Sequence, residues 1–201
     1  EAFAAYRFDM TAQAIYEFAW NEYCDWYLEL TKPVLTGDAP PAAKAGTRST
    51  LVRVLETLLR LLHPIMPFIT EEIWQRVKPL VGKTGDSIML EAYPVADESR
   101  INVDAEQDVA WLQAVISAIR NIRGELNISP AKPLTALFVN GGPADQARLD
   151  RYRSQLAFLA RLEALTWLEA SAELPFAATK LVGDMSLLVP LKGLIDAEAE
   201  A

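Results

Sequence analysis

Cysteine and histidine are almost absent from this sequence. Its 201 residues include one of each, Cys24 and His63, so no disulfide can form within the chain. A structural zinc site takes about four ligands, chiefly Cys and His, so these two side chains exclude the usual zinc motifs. A Ser-His-Asp or Cys-His site would have to use His63, which follows Leu62 at the end of a leucine-rich segment. That setting is typical of a partly buried structural histidine, and Cys24 among helical aromatic residues is typical of a packing residue.

The sequence also lacks a long hydrophobic run and a basic tail. No apolar stretch approaches the about 20 residues that a membrane-spanning helix needs, so we expect no membrane contact. Asp and Glu number 27 against 19 Lys and Arg, and the formal net charge of −8 is spread over both halves of the chain. A globular, monomeric protein of the cytoplasm is the expectation from this composition and from the single cysteine.

Glycine-rich phosphate loops are missing as well, although two short segments resemble them. The run GKT at 82–84 matches the end of a P-loop, but Val77 stands where the first glycine is required. The run NGG at 140–142 lacks the third glycine of a dinucleotide-binding loop and predicts a turn. No catalytic constellation is left among the residues, which favours a binding module.

The first half of the chain has the pattern of a helical bundle. Residues 3–31 contain neither Gly nor Pro and predict one long helix, or two nearly collinear ones, ending at Lys32-Pro33. The segment 36–47 predicts a loop because of its Gly and Pro content. The remaining expectations are a helix over 50–62 with Ser49 as N-cap, a helix from Pro67 to about Val77, and an extended piece over 88–93.

The second half changes to a mixed periodicity. An apolar stripe predicts a helix from Ala105 to about Gly124, after which alternation predicts a strand over 134–140. The other expected elements are a helix over 144–160, a strand over 165–168, and a hairpin of 179–182 with 185–189 that turns at Gly183-Asp184.

These patterns predict a fold that is mainly α with an α+β part. An antiparallel helical bundle is expected over 1–103, followed by a small α/β domain with its leading helix over 104–193. The acidic segment 194–201 predicts the start of a further helix, and the mid-helix pattern of the first residues predicts a helix that continues upstream.

Two locally basic stretches are candidates for binding an anion. Arg53 and Arg60 are seven residues apart on one predicted helix, and Arg120 and Arg123 are three apart on another, so each pair shares a helix face. Such pairs can hold phosphates with bidentate hydrogen bonds. Ion pairs on a solvated face, with Glu56 between Arg53 and Arg60, explain the same pattern.

The end of the first predicted helix is a second candidate. Its aromatic residues offer stacking surfaces for unpaired bases, although aromatic residues at helical spacing more often form a packed core: Trp20, Tyr23, Trp26 and Tyr27. The neighbouring face mixes polar and apolar side chains at helical spacing, a composition that suits base edges better than core packing: Asn21, Asp25, Leu28 and Lys32.

Four segments resemble one enzyme family. LLRLLHPIMPFITEEIWQ (58–75) is similar to the signature of the anticodon-binding bundle of class I aminoacyl-tRNA synthetases of the valine, isoleucine and leucine subgroup. WNEYCDWYLELTKPVL (20–35) resembles the preceding helix of that bundle. IRNIRGELNISPAKPL (119–134) and LVGDMSLLVPLKGLID (181–196) favour the bacterial valyl-tRNA synthetases.

The resemblance implies a part of a larger enzyme. The intact enzyme would use ATP and Mg²⁺ to join valine to tRNA(Val), but the catalytic signatures HIGH and KMSKS are absent here, so this chain alone would need no cofactor and would not aminoacylate. Residues 1–103 would be the anticodon-binding bundle, and 194–201 would begin a coiled-coil arm. The partners implied are the anticodon loop and stem of tRNA(Val) and the catalytic, editing and coiled-coil parts of the same polypeptide.

The resemblance also implies roles for single residues. Leu28, with Asn21, Asp25 and Lys32 beside it, would border the anticodon loop. Arg120 and Arg123 would contact phosphates of the anticodon stem. The most recognisable residues of the signature would belong to the bundle core: His63, Pro64, Pro67 and Trp74.

A different class of function fits the same sequence. A helical scaffold whose aromatic face docks a partner protein is consistent with the net charge of −8, because nucleic-acid-binding proteins are usually basic.

Overall fold

The computed structural model describes residues 2–169 and 171–191. The chain folds as two units that divide after Ser99, close to the boundary at 103 that the sequence predicts. The helix predicted over 194–201 lies outside the described residues.

The first unit begins with one uninterrupted helical run. Helix α1 spans Phe8–Glu17, a π-helical segment follows over Phe18–Leu28, and helix α2 spans Glu29–Thr36. The run starts later than the predicted residue 3, and it does not stop at Lys32-Pro33. Pro33 lies inside α2, so a proline within the run does not end it.

Two further helices complete this unit, α3 over Pro41–Leu62 and α4 over Pro67–Val77. The predicted loop over 36–47 and the Ser49 cap were wrong: α3 starts at Pro41, because proline at the first helical position has its φ already set for a helix. A Cβ at Gly46 would meet no atom within 4 Å, so the packing around α3 does not require glycine at this position. Residues 88–90 form a short 3₁₀ turn instead of the predicted extended piece.

The core of the first unit lies between α3, α4 and that 3₁₀ turn. Leu59, Trp74, Val77 and Ile88 are buried together, and half-buried residues of α3 pack on them. Trp74 is the largest of these side chains and is fully buried. This core fixes α3 and α4, whereas α1 buries none of its residues.

The second unit combines helix α5 with a four-stranded sheet. Its elements in chain order are α5 (Val103–Glu125), β1 (Leu134–Val139), α6 (Pro143–Arg151), α7 (Arg153–Leu159), β2 (Leu162–Trp167), β3 (Ala177–Val182) and β4 (Met185–Pro190). The strand order is β2-β1-β4-β3, with β1 and β2 parallel and the other pairs antiparallel. The predicted fold class, a helical bundle with a small α/β part, is confirmed.

Most of the predicted elements of this unit are confirmed, with two corrections. The hairpin pairs Val182 with Met185 across Gly183-Asp184, and Gly183 has a φ of 58°, a conformation that suits glycine. The helix predicted over 144–160 is divided at Tyr152, and β2 begins at Leu162, earlier than expected.

A buried carboxylate fastens α6 to α5. Asp108 accepts hydrogen bonds from Arg148 Nε at 2.8 Å, Arg151 Nη1 at 2.6 Å and Tyr152 Oη at 3.0 Å. The hydrogen bond from Arg148 is the main reason that the pKa of Asp108 lies below its ordinary value. Because Tyr152 ends α6, this cluster also fixes the point where α6 gives way to α7.

Candidate nucleic-acid interface

The helical run of the first unit presents the mixed face predicted from the sequence. Asn21, Asp25 and Lys32 are exposed, and Leu28 is half-buried. Lys32 Nζ donates to Glu29 Oε1 at 2.5 Å, an exposed ion pair that solvent and salt weaken easily. The four side chains therefore offer an amide, a carboxylate, an ammonium group and an apolar contact along one stretch of helix.

Three of these residues stand on the π-helical segment, which sequence reasoning missed. A π-helix closes its hydrogen bonds over five residues instead of four, so side chains four apart no longer stack directly above one another. Asn21, Asp25 and Leu28 are consequently spread around the helix more widely than the α-helical spacing predicts. No sequence signal distinguishes a π-helical from an α-helical segment here. π-Helical turns are often found at functional sites, and this one carries three of the candidate binding residues.

Buried tyrosines hold this segment against α3. Tyr23 is buried, and its hydroxyl donates to the carbonyl oxygen of Leu51 at 3.0 Å. Burial raises the pKa of Tyr23 and also that of Tyr27, where a hydrogen bond with Thr50 acts in the opposite direction. Both groups thus stay neutral near pH 7, and they anchor the side of the helix that faces α3.

The aromatic residues of this region separate into core and surface. Tyr23 is in the core, Trp26 and Tyr27 are half-buried, and Trp20 is 55% exposed. The two explanations of the aromatic cluster, packing and stacking, therefore apply to different members. Tyr16, one α-helical turn before Trp20, is also exposed, and the four-residue spacing of these two aromatic residues was the signal that could have singled it out.

Helix α3 carries several cations, but not all of them point to solvent. Arg53 is exposed, as is Arg48. Arg60 instead turns towards buried Glu56, with Nε 2.9 Å from Oε1 and Nη2 3.0 Å from Oε2, while its Nη1 donates to the carbonyl oxygen of Ala92 at 2.7 Å. These bonds use the donors that a phosphate would need, so the geometry argues against a phosphate role for Arg60.

Glu56 is the polar centre of the first unit. Besides Arg60, its Oε1 accepts from Trp74 Nε1 at 3.1 Å and lies 3.6 Å from Lys83 Nζ. Burial acts to raise the pKa of Glu56, but the hydrogen bonds from Arg60 and Trp74 outweigh it, and the net pKa lies below the ordinary value. The charge of Glu56 is thus kept and balanced inside the unit.

Helix α5 shows the same division between its two candidate arginines. The Arg123 side chain is buried, and its guanidinium donates to four backbone carbonyl oxygens, those of Ser129, Lys132, Ala160 and Arg161, at 2.8–3.1 Å. Burial is the main reason that the pKa of Arg123 lies below its ordinary value. These contacts argue against the expected role of Arg123: both of its Nη atoms are bonded within the unit, where they brace the loop after α5.

Arg120, one turn before Arg123, remains on the surface. It is exposed and lines a shallow groove together with Gly124, Asn127, Ser129 and Pro130. Arg120 is therefore the member of the pair that is positioned to meet a ligand.

The residues expected in the bundle core have mixed positions. Trp74 is fully buried, and His63 is half-buried with Nδ1 2.8 Å from Thr70 Oγ1. Because the Thr70 hydroxyl donates to the carbonyl oxygen of Met66 at 2.7 Å, we assign His63 Nδ1 as the donor to Thr70. Pro64 and Pro67 are exposed, so their assignment to the core was wrong: they end α3 and start α4 at the surface turn between the helices.

The groups described at this site are hydrogen-bond donors and acceptors, aromatic rings and charged side chains. Among residues 2–169 and 171–191, no group of three His, Cys, Asp or Glu side chains is placed to hold a metal ion. Within the same residues, no helix combines the length and apolar character needed to cross a membrane. The chemistry available at the surface is thus hydrogen bonding, stacking and ion pairing.

Comparison with known proteins agrees with the resemblance seen in the sequence. Residues 1–138 match the family model described as the anticodon-binding domain of tRNA ligase. Two valine–tRNA ligases of Xanthomonas campestris pv. campestris, from strains B100 and 8004, are 52% identical to the chain over 204 aligned positions. The alignments cover 98% of this chain, which spans only 21% of the length of these relatives. The chain therefore belongs to the family of anticodon-binding domains of tRNA ligases.

Proposed function

We propose that this chain binds the anticodon loop and stem of tRNA(Val) as part of a valine–tRNA ligase. The observation that carries the proposal is a stretch of helix with exposed Asn21, Asp25 and Lys32 and half-buried Leu28, fixed by the buried Tyr23, within a chain of the anticodon-binding family. Valine anticodons vary at the first base and keep A and C at the second and third. This face would read those last two bases through their edges.

Phosphate contacts in the proposal come from exposed arginines only. Arg53 and Arg48 on α3 supply cations beside the loop-binding face, and Arg120 on α5 is proposed to contact the stem. Arg60 and Arg123 serve the structure, since their donors are used within their own units. A small number of phosphate contacts suits a chain with a net charge of −8.

The mechanistic role in this proposal is positioning. Holding the anticodon fixes the register of the whole tRNA, so binding energy far from the reaction helps to deliver the 3′ end to a distant catalytic site. The joining of valine to tRNA, with ATP and Mg²⁺, is proposed for a part of the protein outside these residues. The proposed setting is the cytoplasm, and the proposed state is a monomer.

A titration of the 201-residue chain tests the proposal. Fluorescence anisotropy would follow its binding to a labelled valine anticodon stem–loop, to the same hairpin with the second anticodon base changed, and to a scrambled hairpin. We expect tighter binding of the valine sequence, with a slope of log K against log salt of about −2 to −4 for a few phosphate contacts. Equal affinity for all three hairpins would contradict the proposed specificity.

A protein-docking function is the second candidate because α1 buries none of its residues. Its exposed side chains include large apolar ones, among them Phe8, Met10 and Tyr16. Binding of a protein partner without loss at high salt, together with no affinity for any hairpin, would favour this candidate over the first.

A further inference from the structure

The exposed side chains of Tyr16 and Trp20 form an arrangement that stands out in the first unit. We propose that these two rings are a stacking platform for one unpaired base of an RNA loop. The inference rests on the proposed function, since it assumes that the chain meets RNA. The sequence offered Trp20 as one of several stacking surfaces; the structure adds Tyr16 and the parallel pairing of these two rings.

The relative orientation of the two rings is the first argument. Their planes are 3° from parallel, and their centroids are 6.2 Å apart. The other aromatic pairs seen within the described residues are tilted or edge-on, with interplanar angles from 35° to 86°. Parallel rings offer flat faces in the same orientation, and a planar base stacks on a flat face and not on an edge.

Exposure is the second argument. Tyr16 is 60% exposed and Trp20 is 55% exposed, so folding leaves much of both rings in contact with water. The nearby Tyr23, by contrast, is buried and tied by its hydroxyl group to Leu51. The pair is therefore accessible to a ligand, while Tyr23 anchors the same helical run to α3.

The charges around the pair favour a base over a phosphate. Glu17 and Glu22 are exposed on the same run of helix, and their carboxylates repel phosphate groups. Arg48 and Arg53, in contrast, lie within one turn of Leu51 on α3, the helix that Tyr23 contacts. An RNA strand avoids the glutamates and meets the arginines when its base turns towards the platform and its phosphate backbone turns towards α3.

A polar side chain next to the platform can read the edge of a stacked base. Asn21 directly follows Trp20 and is exposed. Its amide group combines a donor and an acceptor, the combination needed for the edge of a base. Trp20 and Asn21 both belong to the π-helical segment, so the platform lies across the junction between α1 and that segment.

Fluorescence of 2-aminopurine tests the platform directly. The valine anticodon stem–loop is synthesised with 2-aminopurine at each loop position in turn, because stacking quenches the fluorescence of this base. With the 201-residue chain we expect additional quenching at one loop position. Trp20→Ala and Tyr16→Ala should each remove that quenching and weaken binding about tenfold, within the range for loss of one base–aromatic stack.

Two further readouts separate stacking from a general loss of structure. Trp20→Phe keeps a flat ring and should bind within about threefold of the unmodified chain, with the quenching retained. The slope of log K against log salt should not change in Trp20→Ala, because no phosphate contact is lost. Phe68→Ala is the matched control, since Phe68 is 90% exposed on α4, and it should leave binding and quenching unchanged.

The outcomes distinguish failure of the platform from failure of the proposed function. If the stem–loop binds with anticodon specificity but Trp20→Ala and Tyr16→Ala change neither affinity nor quenching, the platform is contradicted and the proposed function stands. If Phe68→Ala weakens binding as much as Trp20→Ala, the effect is a general apolar one and the platform is contradicted as well. If the unmodified chain binds no hairpin, both proposals are contradicted.

Discussion

Leu28 is the residue on which the proposed recognition of the anticodon depends most. It is half-buried, so part of its side chain is available to a ligand while the remainder packs in the first unit. Truncation in Leu28→Ala should weaken binding of the valine stem–loop by about 1 kcal/mol or more, because it removes an apolar contact at the centre of the face. Anisotropy titration and thermal unfolding of the same sample would measure both effects.

The control for Leu28 is a leucine two positions along the chain. Leu30 is also half-buried but points away from Leu28, since two residues turn a helix by about 200°. Leu30→Ala should therefore affect thermal unfolding and spare RNA binding. If Leu28→Ala lowers stability and leaves binding unchanged, the assignment of the two faces is inverted.

Glu56 shows how a charged residue can be structural. Its carboxylate is buried and accepts from Arg60 and Trp74. Glu56→Gln leaves the Arg60 guanidinium without its counter-ion, and we expect the free energy of unfolding to fall by about 3 kcal/mol. Denaturant unfolding would measure this change.

Helix α4 provides a matched pair for that experiment. Glu72 and Arg76 have the same four-residue spacing and are 2.7 Å apart, but both are exposed. Glu72→Gln should change the free energy of unfolding by less than about 0.5 kcal/mol, as for other exposed helical pairs. Similar losses in the two variants would show that burial of Glu56 does not control the effect.

At the scale of single elements, α5 carries one buried arginine with a structural role, Arg123, and one exposed arginine, Arg120. Arg123→Ala leaves four backbone carbonyl oxygens without their donor, so the second unit should lose about 3 kcal/mol or more of stability in denaturant unfolding. Arg120→Ala should leave stability nearly unchanged and reduce the magnitude of the salt slope of RNA binding by about 1. A reduced slope in an Arg123 variant that is stable would contradict the bracing role.

The attachment of α6 to α5 is expected to depend on pH. The folded-state pKa of Asp108 lies below its ordinary value of 3.8, so its hydrogen bonds stabilise the unit fully above pH 3.8. That contribution is lost as the pH falls through the lower folded-state pKa, because the unfolded chain binds the proton more readily. Asp108→Asn should remove this part of the acid sensitivity when urea midpoints are compared at pH 7 and pH 3.

A second aspartate of α6 serves as the control for the pH experiment. Asp150 pairs with Arg153 at 3.2 Å, and its side chain is 68% exposed. Asp150→Asn should leave the pH dependence of the midpoint almost as it is in the unmodified chain. Loss of acid sensitivity in both variants would contradict the special role of Asp108.

The elements that the sequence predicted well are those with a strong local signal. The apolar stripe of α5 and the turn at Gly183-Asp184 each specify their structure within a short window. The start of α3 was missed because Pro40-Pro41 suggests a loop, although proline also suits the first turn of a helix. The π-helical segment was missed because no residue pattern distinguishes it from an α-helix.

At the scale of the whole molecule, the candidate site was predicted in part. The exposed positions of Asn21, Asp25 and Lys32 agree with a binding face, because a polar stripe on a helix is a local property. The Arg60–Glu56 pair lies within one turn of helix and was one of the two explanations that the sequence left open. The bonds from Arg60 to Ala92 and from buried Arg123 to Ala160 were not predictable, because these acceptors lie far along the chain. Sequence patterns thus identify which helices present basic residues, but they do not identify which of those residues form hydrogen bonds within the protein.

Footprinting of full-length tRNA(Val) on the 201-residue chain tests the central claim most directly. Ribose or phosphate cleavage would be followed along the whole tRNA with and without the chain, at low salt where phosphate contacts are strongest. The account predicts protection confined to the anticodon loop and stem, with the acceptor end cleaved as in free tRNA. Protection of the acceptor end alone, or no protection at any nucleotide, would contradict it.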